Sequence, residues 1–377
     1  MVTPYIPEIT YLSWLVTFFL SLYFYKDIIR INRGNKYLKN LFVYIIFSQA
    51  ILSIYSMKQY GETIVDILIC AGFYFLLLFT YIVLIGMEIF GTEEFLMYFY
   101  KFTTAYMIFL MVNAFAVNHL GFRIMTESIR SKTAFMRAYA GSLYVVLMLV
   151  LFWKIVCGDR TKKTICWFMV GVIVELFIEQ TRVSELAMVA AFGCMWFFHP
   201  KKDRKKLIQI VLLVVLAFMF FKLGFFEDLI QSFSTDASVN RNAASSVARV
   251  NAAKYFYEYL AKNPLMGMGW VRPKNAYLRL IFSGPDGTAF FDDLGFLGQV
   301  FRQGILGAII YVAIVLRLLY MLKNIKKESL NRTLIIGIIV FIITSGISLN
   351  CLDGQRILGT AFFIALSEKI FEMESKS

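Results

Sequence analysis

Apolar residues occur along this chain in long runs rather than in stripes. The runs fall at about 9–25, 40–57, 64–90, 95–118, 136–157, 164–180, 182–198, 207–226, 294–322, 333–350 and 356–371. A helix needs about 20 apolar residues to cross a bilayer, with a range near 17–25. A segment apolar on all faces is solvated by lipid or by other helices, not by water. The pattern predicts an all-α, polytopic membrane protein: about eleven transmembrane helices and one large extracytoplasmic loop containing short helices. The last run is marginal and also fits a half-helix or an interfacial segment.

The stretch Thr164–Phe198 needs a break. As one helix it would be about 50 Å long, against a hydrocarbon core of about 30 Å. Its polar interruption, Glu179 to Glu185, predicts a hairpin whose tip carries Arg182.

The long polar segment runs from about 227 to 293, with turns at Ser232–Ser238 and Ser283–Thr288. It divides the chain into an N-terminal bundle (1–226, about eight helices), the loop (227–293), and C-terminal membrane helices with a short tail (294–377). Within the loop, Val247, Val250, Ala253, Tyr257 and Leu260 recur at helical spacing, predicting a helix over Ala244–Lys262. Asn263-Pro264 and the glycines at 267 and 269 end it. Its apolar face and flanking Arg249, Lys254 and Lys262 suit a membrane surface.

Composition agrees. The chain is 59% hydrophobic and 17% charged, whereas soluble domains lie nearer 45–50% and about 25%. The net charge of +13 is read as topology rather than nucleic-acid binding, because the basic residues cluster in short loops: Lys26–Lys39, Lys154–Lys163, Lys201–Lys206 and Lys323–Arg332. The predicted spans put all four on one side, expected to be cytoplasmic by the positive-inside rule. The N-terminus is then outside and the C-terminus inside. Glu93 and Glu94 inside, and His119, Arg123, Arg130 and Lys132 outside, run against this assignment. The opening MVTPYIPEIT lacks the basic region of a cleavable signal peptide, so the first run is expected to be a membrane helix. The five cysteines lie in or beside apolar runs, with no CxxC pair, and read as small packing residues.

The sequence contains no GxxxxGK[ST], no HExxH and no DxD triplet, and no GxGxxG lies between a strand and a helix. No metal or cofactor is expected. His119 and His199 stand alone at predicted helix ends.

Three groups of charges remain at the outer surface. Glu175, inside an apolar run, costs about 2.5–3.5 kcal/mol in lipid on insertion scales and must face the bundle interior. With Glu179, Arg182 and Glu185 it forms either an ion pair locking the hairpin or a cationic anchor at the mouth of a cavity. Arg241, Arg249, Arg272 and Arg279 lie in the loop. The planar guanidinium prefers phosphate and carboxylate, so they are either solvated loop charges or contacts to a lipid pyrophosphate. Asp292-Asp293 precede the next membrane run. They either cap that helix or form a partly dry carboxylate pair able to act as a general base. Tyr255, Tyr257, Trp270 and Tyr277 are either sugar-stacking rings or interfacial anchors.

Three stretches give the chain a resemblance to the bacterial O-antigen ligase and Wzy-type polysaccharide polymerase superfamily. Thr181-Arg-Val-Ser-Glu-Leu-Ala-Met-Val-Ala190 resembles its Arg-led mid-chain helix. Ser246-Val-Ala-Arg249, then Tyr259-Leu-Ala-Lys-Asn-Pro-Leu-Met-Gly-Met-Gly269, resembles its outer-loop helix. Asp293-Leu-Gly-Phe-Leu-Gly298, then Arg302-Gln-Gly-Ile-Leu-Gly307, resembles its re-entry into the membrane. The resemblance is close over roughly 180–320.

It implies metal-independent glycosyl transfer on the outer face of the bacterial cytoplasmic membrane. The donor would be a glycan on undecaprenyl pyrophosphate and the acceptor a second lipid-linked repeat, with a flippase and a chain-length regulator as possible partners. Arg182 and Arg249 would bind the leaving pyrophosphate, and Asp292 or Asp293 would activate the acceptor hydroxyl. Arg241, Arg272, Arg279, Arg302, Glu175, Glu179, Trp270 and Tyr277 would contact substrate. Ligase members carry a histidine before the re-entrant helix. This chain reads Phe291-Asp292-Asp293 there, which favours a polymerase. The alternatives are ligase-like transfer to an envelope acceptor, and a lipid-linked oligosaccharide transporter or flippase without chemistry.

Overall fold

The computed structural model describes residues 8–116, 120, 141–179, 181–200, 241–284, 287 and 289–376, without the side chains of 8–12, 114, 182 and 241–246. The run at 207–226, the basic stretch Lys201–Lys206, His119, Arg123, Arg130, Lys132 and the turn Ser232–Ser238 lie outside the described residues.

All regular structure among the described residues is helical. Helices α1 (Glu8–Tyr23), α2 (Tyr25–Gly34) and α3 (Lys36–Tyr60) open the chain. Helix α4 (Ile64–Ala71) passes through a tight 3-10 stretch, Gly72–Leu78, into α5 (Phe79–Phe90), followed by α6 (Thr92–Phe115) and α7 (Leu143–Cys157). Helix α8 (Lys162–Ile173) widens into a π-helical turn, Val174–Glu179, before α9 (Arg182–Phe197). The polar segment supplies α10 (Arg241–Lys262) and α11 (Ala276–Ser283). A 3-10 turn, Phe291–Leu294, leads into α12 (Gly295–Asn324), α13 (Leu330–Ser345) and α14 (Ile357–Lys376).

Lys36–Tyr60, Ile64–Phe90, Thr92–Asn113 and Phe291–Asn324 are long and apolar enough to cross a membrane. Ser13–Tyr23, Leu143–Cys157, Val183–Phe197 and Leu330–Ser345 are apolar but shorter. The expected eleven spans thus reduce to four clear ones among the described residues. Helix breaks account for part of the difference: the run at 164–180 is divided between α8 and the π turn, and the chain breaks again before Arg182. The break predicted between 179 and 185 is present. The basic stretch after the first run, expected as a loop, is largely helical: Arg30 of α2 pairs with Asp27 at 3.2 Å and Glu88 at 2.5 Å.

Polar contacts sort the loops to two ends. At one end Asn35 caps α3, accepting from the Leu38 amide at 3.1 Å, and its amide group donates to Glu368 at 2.7 Å. Arg317 holds the same carboxylate at 2.8 Å through both Nε and Nη2. Ser329 and Asn331 bond Glu374, and the Trp153 indole donates to the Leu330 carbonyl. Three of the four basic stretches meet here. At the opposite end lie the polar segment, the 179–182 break and the Ser345–Arg356 connection.

The polar segment has a small core of its own. Phe256 of α10 stacks on Phe291 with centroids 3.7 Å apart, surrounded by Met268, Val271, Ile281 and Phe282. The buried face of α10 therefore carries Ala252 and Phe256, not the expected stripe: Val250 and Tyr257 are exposed. The ring in register with Phe291, that of Phe256, turns inward.

Two of the stretches that carry the family resemblance clasp each other. Helix α12 breaks at Gly304 (φ 58°, ψ −151°). The loop Asn263–Gly269 fills that break: the amides of Ile305 and Leu306 donate to the carbonyls of Pro264 and Leu265, and those of Met268 and Gly269 to Phe301 and Arg302. A side chain at Gly267 would strike the Phe301 carbonyl, and one at Gly304 the Leu265 carbonyl. Both glycines also have positive φ, which a Cβ disfavours.

Candidate functional site

The clasp fixes Arg302. Its guanidinium lies over the Trp270 ring, 4.4 Å from the centroid, and 5.8 Å from that of Phe291. Its buried Nε has no hydrogen-bond partner among the described residues. Trp270 itself is fully buried, its amide held by Ser56 Oγ at 2.7 Å and its indole by Gln49 at 3.0 Å. It was expected to touch sugar; instead it is the shelf on which Arg302 rests.

Phe291, the second ring, is followed directly by Asp292 and Asp293. Both carboxylates are exposed, not in the partly dry setting their adjacency predicts. Neither caps a helix: no side-chain cap bond is made at the start of the 3-10 turn or of α12. The Asp293 carbonyl accepts from Ser348 Oγ at 3.3 Å, tying this turn to the Ser345–Arg356 connection.

That connection brings in two residues not singled out from the sequence. Arg356 pairs with Asp353, and the charges of Glu179 and Asp292 also act on it. Asp353 accepts from the amides of Gln355 and Arg356 at 3.0 and 2.8 Å. Burial pushes its carboxyl up to about 6, against the pull of Arg356 and with a further push from Asp292. The polar tract Ser348–Arg356 between two apolar runs was a legible signal, but it reads as a short connecting loop until the fold places it beside Asp292.

The hairpin break supplies the other wall. Glu175 and Glu179 are both buried in the π turn; π turns widen a helix and recur at functional sites. Tyr144 donates to Glu175, and Thr181 Oγ1 to Glu179 at 2.9 Å. Arg182 is the first residue of α9, next to buried Thr181; its side chain is outside the described set. A small enclosed space between α7, α9, α13 and α14 is lined by Tyr144, Glu179, Ser184 and Arg356.

The loop arginines separate. Arg272 is engaged: Nη1 binds Asp66 at 2.8 Å and its amide donates to Glu62 at 2.9 Å. Lys274 bridges Glu62 at 2.9 Å and Asp66 at 2.6 Å. These carboxylates hold both cations above their ordinary pKa, Asp66 chief among them. Thr63 and Asp66 form a capping box on α4, so the acidic partner is itself fixed. Arg272 thus tethers the loop to the bundle through Nη1 and Asp66, a partner that its expected contact to phosphate did not foresee. Arg249 and Arg279 are exposed. Arg241 begins α10 without a described side chain. Tyr277 is 67% exposed.

The described residues contain no group of three or more His, Cys, Asp or Glu able to hold a metal ion. The arrangement is a helical membrane protein with cations and carboxylates gathered where a polar segment folds back onto one end. Residues 165–312 match the family model described as Wzy_C, O-Antigen ligase. The match supports the resemblance of this stretch to the O-antigen ligase and Wzy-type polymerase superfamily. It includes the hairpin, the polar segment and the clasp. The match supports glycosyltransferase-like chemistry in envelope glycan assembly and is equally compatible with a ligase and a polymerase. No curated protein matches the chain.

Proposed function

We propose that this protein is a polysaccharide polymerase joining undecaprenyl-pyrophosphate-linked repeat units on the outer face of the bacterial cytoplasmic membrane. The observation that carries the reading is Arg302: a cation held between Trp270 and Phe291, with no described acceptor on its buried Nε, next in space to the turn bearing Asp292 and Asp293. Such a guanidinium is preorganised for a multivalent oxyanion.

The reaction is a displacement at the anomeric carbon. The bond from that carbon to the pyrophosphate oxygen breaks and its electron pair leaves with the lipid pyrophosphate. Arg302, with Arg182, Arg249 and Arg356, stabilises that charge. The acceptor hydroxyl oxygen forms the new glycosidic bond, and its proton passes to Asp292 or Asp293. Exposed at this end, these carboxylates can reach an acceptor entering from the aqueous side. Glu179 and Asp353 set the field around Arg356.

Ligase-like transfer to an envelope acceptor is the second reading, favoured by the description of the matched family. The absence of histidine between 227 and 293 favours the polymerase. The deciding experiment supplies lipid-linked repeat units alone to the full chain in proteoliposomes. A ladder of lengths supports the polymerase. Consumption only after an envelope acceptor is added supports the ligase. Movement across the bilayer without new bonds supports a flippase.

A further inference from the structure

Five tyrosines from three elements surround one cavity. Tyr55 and Tyr60 come from the end of α3, Tyr255 and Tyr259 from successive turns of α10, and Tyr277 from α11. The space measures about 480 Å³, within the roughly 300–1,000 Å³ of small-molecule sites. Its rings are held at fixed angles. Tyr55 and Tyr60 meet edge-on with centroids 6.3 Å apart, and Tyr255 and Tyr259 at 5.4 Å. The Tyr255 hydroxyl lies 3.1 Å from that of Tyr259 and donates to the carbonyls of Leu280 and Ile281, which locks its ring in place. Between the rings stand Gln59, Asn263 and Lys262.

A pyranose ring has apolar C–H faces and a rim of hydroxyls. Tyrosine offers a flat apolar face and a polar edge at low entropy cost, and amides supply donors and acceptors for the rim. A lipid tail would leave those amides unpaired. Among the described residues Lys262 is the one charged group lining the space, and no carboxylate lines it. The cavity therefore accepts neutral or acidic sugars and holds no acidic cluster for a metal.

The cavity adjoins the transfer site. Tyr255 lies against the Gly284 turn leading to Phe291, and its neighbour Phe256 stacks on Phe291 itself. One turn of α10 thus lines the cavity with one side chain and supports the Asp292-Asp293 turn with the next.

We propose that this tyrosine cavity is a saccharide-binding subsite that holds sugar rings of the acceptor glycan while its hydroxyl reaches Asp292 or Asp293. The proposal rests on the glycan-transfer reading for the identity of the occupant, but its test does not require transfer.

The probe is the repeat-unit oligosaccharide released by mild acid from the lipid-linked pool of a host strain that lacks its own polymerase and carries this gene. Its binding to the full-length chain in nanodiscs is followed by saturation-transfer NMR. Tyr277→Ala and Gln59→Ala change exposed side chains and leave both cores intact. Each is expected to weaken saccharide binding roughly tenfold. Arg302→Gln is expected to leave it unchanged while abolishing the signal from inorganic pyrophosphate. Equal binding by wild type and both cavity variants overturns the subsite. So does no binding by a wild-type preparation that polymerises. If wild type makes no polymer but binds saccharide in a Tyr277-dependent way, the transfer reading fails and the subsite stands.

Discussion

Among the described residues two arginines sit against aromatic rings, at opposite ends of the bundle. Arg317 lies over Tyr37, Tyr320 and Phe371, and both Nε and Nη2 bind Glu368. Arg302 lies over Trp270 and Phe291, and its Nε has no acceptor among the described residues. The first is a closed device: its charge, its stacking and two of its guanidinium nitrogens are answered from within the chain. The second has the stacking without the anion. Rings shield a guanidinium from water, and what differs between the two ends is whether the protein supplies the negative charge or, in the proposed function, leaves it to a substrate.

The largest expected effect breaks this contrast directly. Arg302→Gln is expected to lower polymer formation by about 10²–10³-fold, the range for losing one preorganised oxyanion donor, at normal membrane abundance. Arg317→Gln leaves the buried Glu368 carboxylate without its cation, with only Asn35 donating to it. Breaking a buried pair costs about 3–5 kcal/mol, so abundance falls while activity per molecule is retained. The double variant Arg317→Gln with Glu368→Gln is expected to regain abundance on membrane immunoblots. If it does not, the closed end is not held by this pair.

Gly304→Ala perturbs the Arg302 end through the backbone. A Cβ there has a disfavoured φ and meets the Leu265 carbonyl; strained backbone of this kind costs about 1–3 kcal/mol. The clasp should loosen, and with it the Trp270 shelf. The expected result is a lowered melting temperature in detergent together with weaker pyrophosphate binding. Wild-type values for both would remove the clasp from the account.

A smaller effect comes from Asp353, whose carboxyl is pushed up to about 6 by burial. Above about 6 it is ionised and neutralises Arg356; below, it is neutral and Arg356 faces fewer anions. Affinity for a pyrophosphate-bearing donor should therefore rise as pH falls from about 7 to about 5, read as a falling KM. Asp353→Asn should hold the low-pH value throughout. A wild-type step of opposite sign would contradict the assignment.

The smallest expected effect is at the tether. Lys274 is part-exposed and Arg272 binds the same carboxylate, so Lys274→Ala is expected to cost roughly 0.2–1 kcal/mol. Its signature is faster proteolysis of the polar segment with polymer length unchanged.

The helical class, the break before Arg182 and the glycine-rich stretches were legible because each rests on a local rule: run length, a polar interruption, a turn residue. The same rules did not reveal why the glycines matter, since Gly267 and Gly304 answer each other across about forty residues of sequence. Arg302 was visible only as part of a resemblance; its isolation from acids depends on three elements meeting. Arg272 and Trp270 read as ligand contacts because residue type carries no record of partners, and Glu62, Asp66 and Gln49 lie far away along the chain. Arg356 and Asp353 looked like a short connection for the same reason. The stripe on α10 misled by about one position, since periodicity counts apolar residues equally and packing selects the ring that finds Phe291.

The most direct test of the central claim places the two arginines in one assay. Polymer length is measured in cells lacking their own polymerase, carrying wild type, Arg302→Gln or Arg317→Gln, each normalised to membrane protein. Wild type is expected to give a full ladder, Arg302→Gln single repeats at normal abundance, and Arg317→Gln a full-length ladder in reduced amount. A normal ladder from Arg302→Gln would contradict this claim, because the open guanidinium would then have no substrate charge to answer.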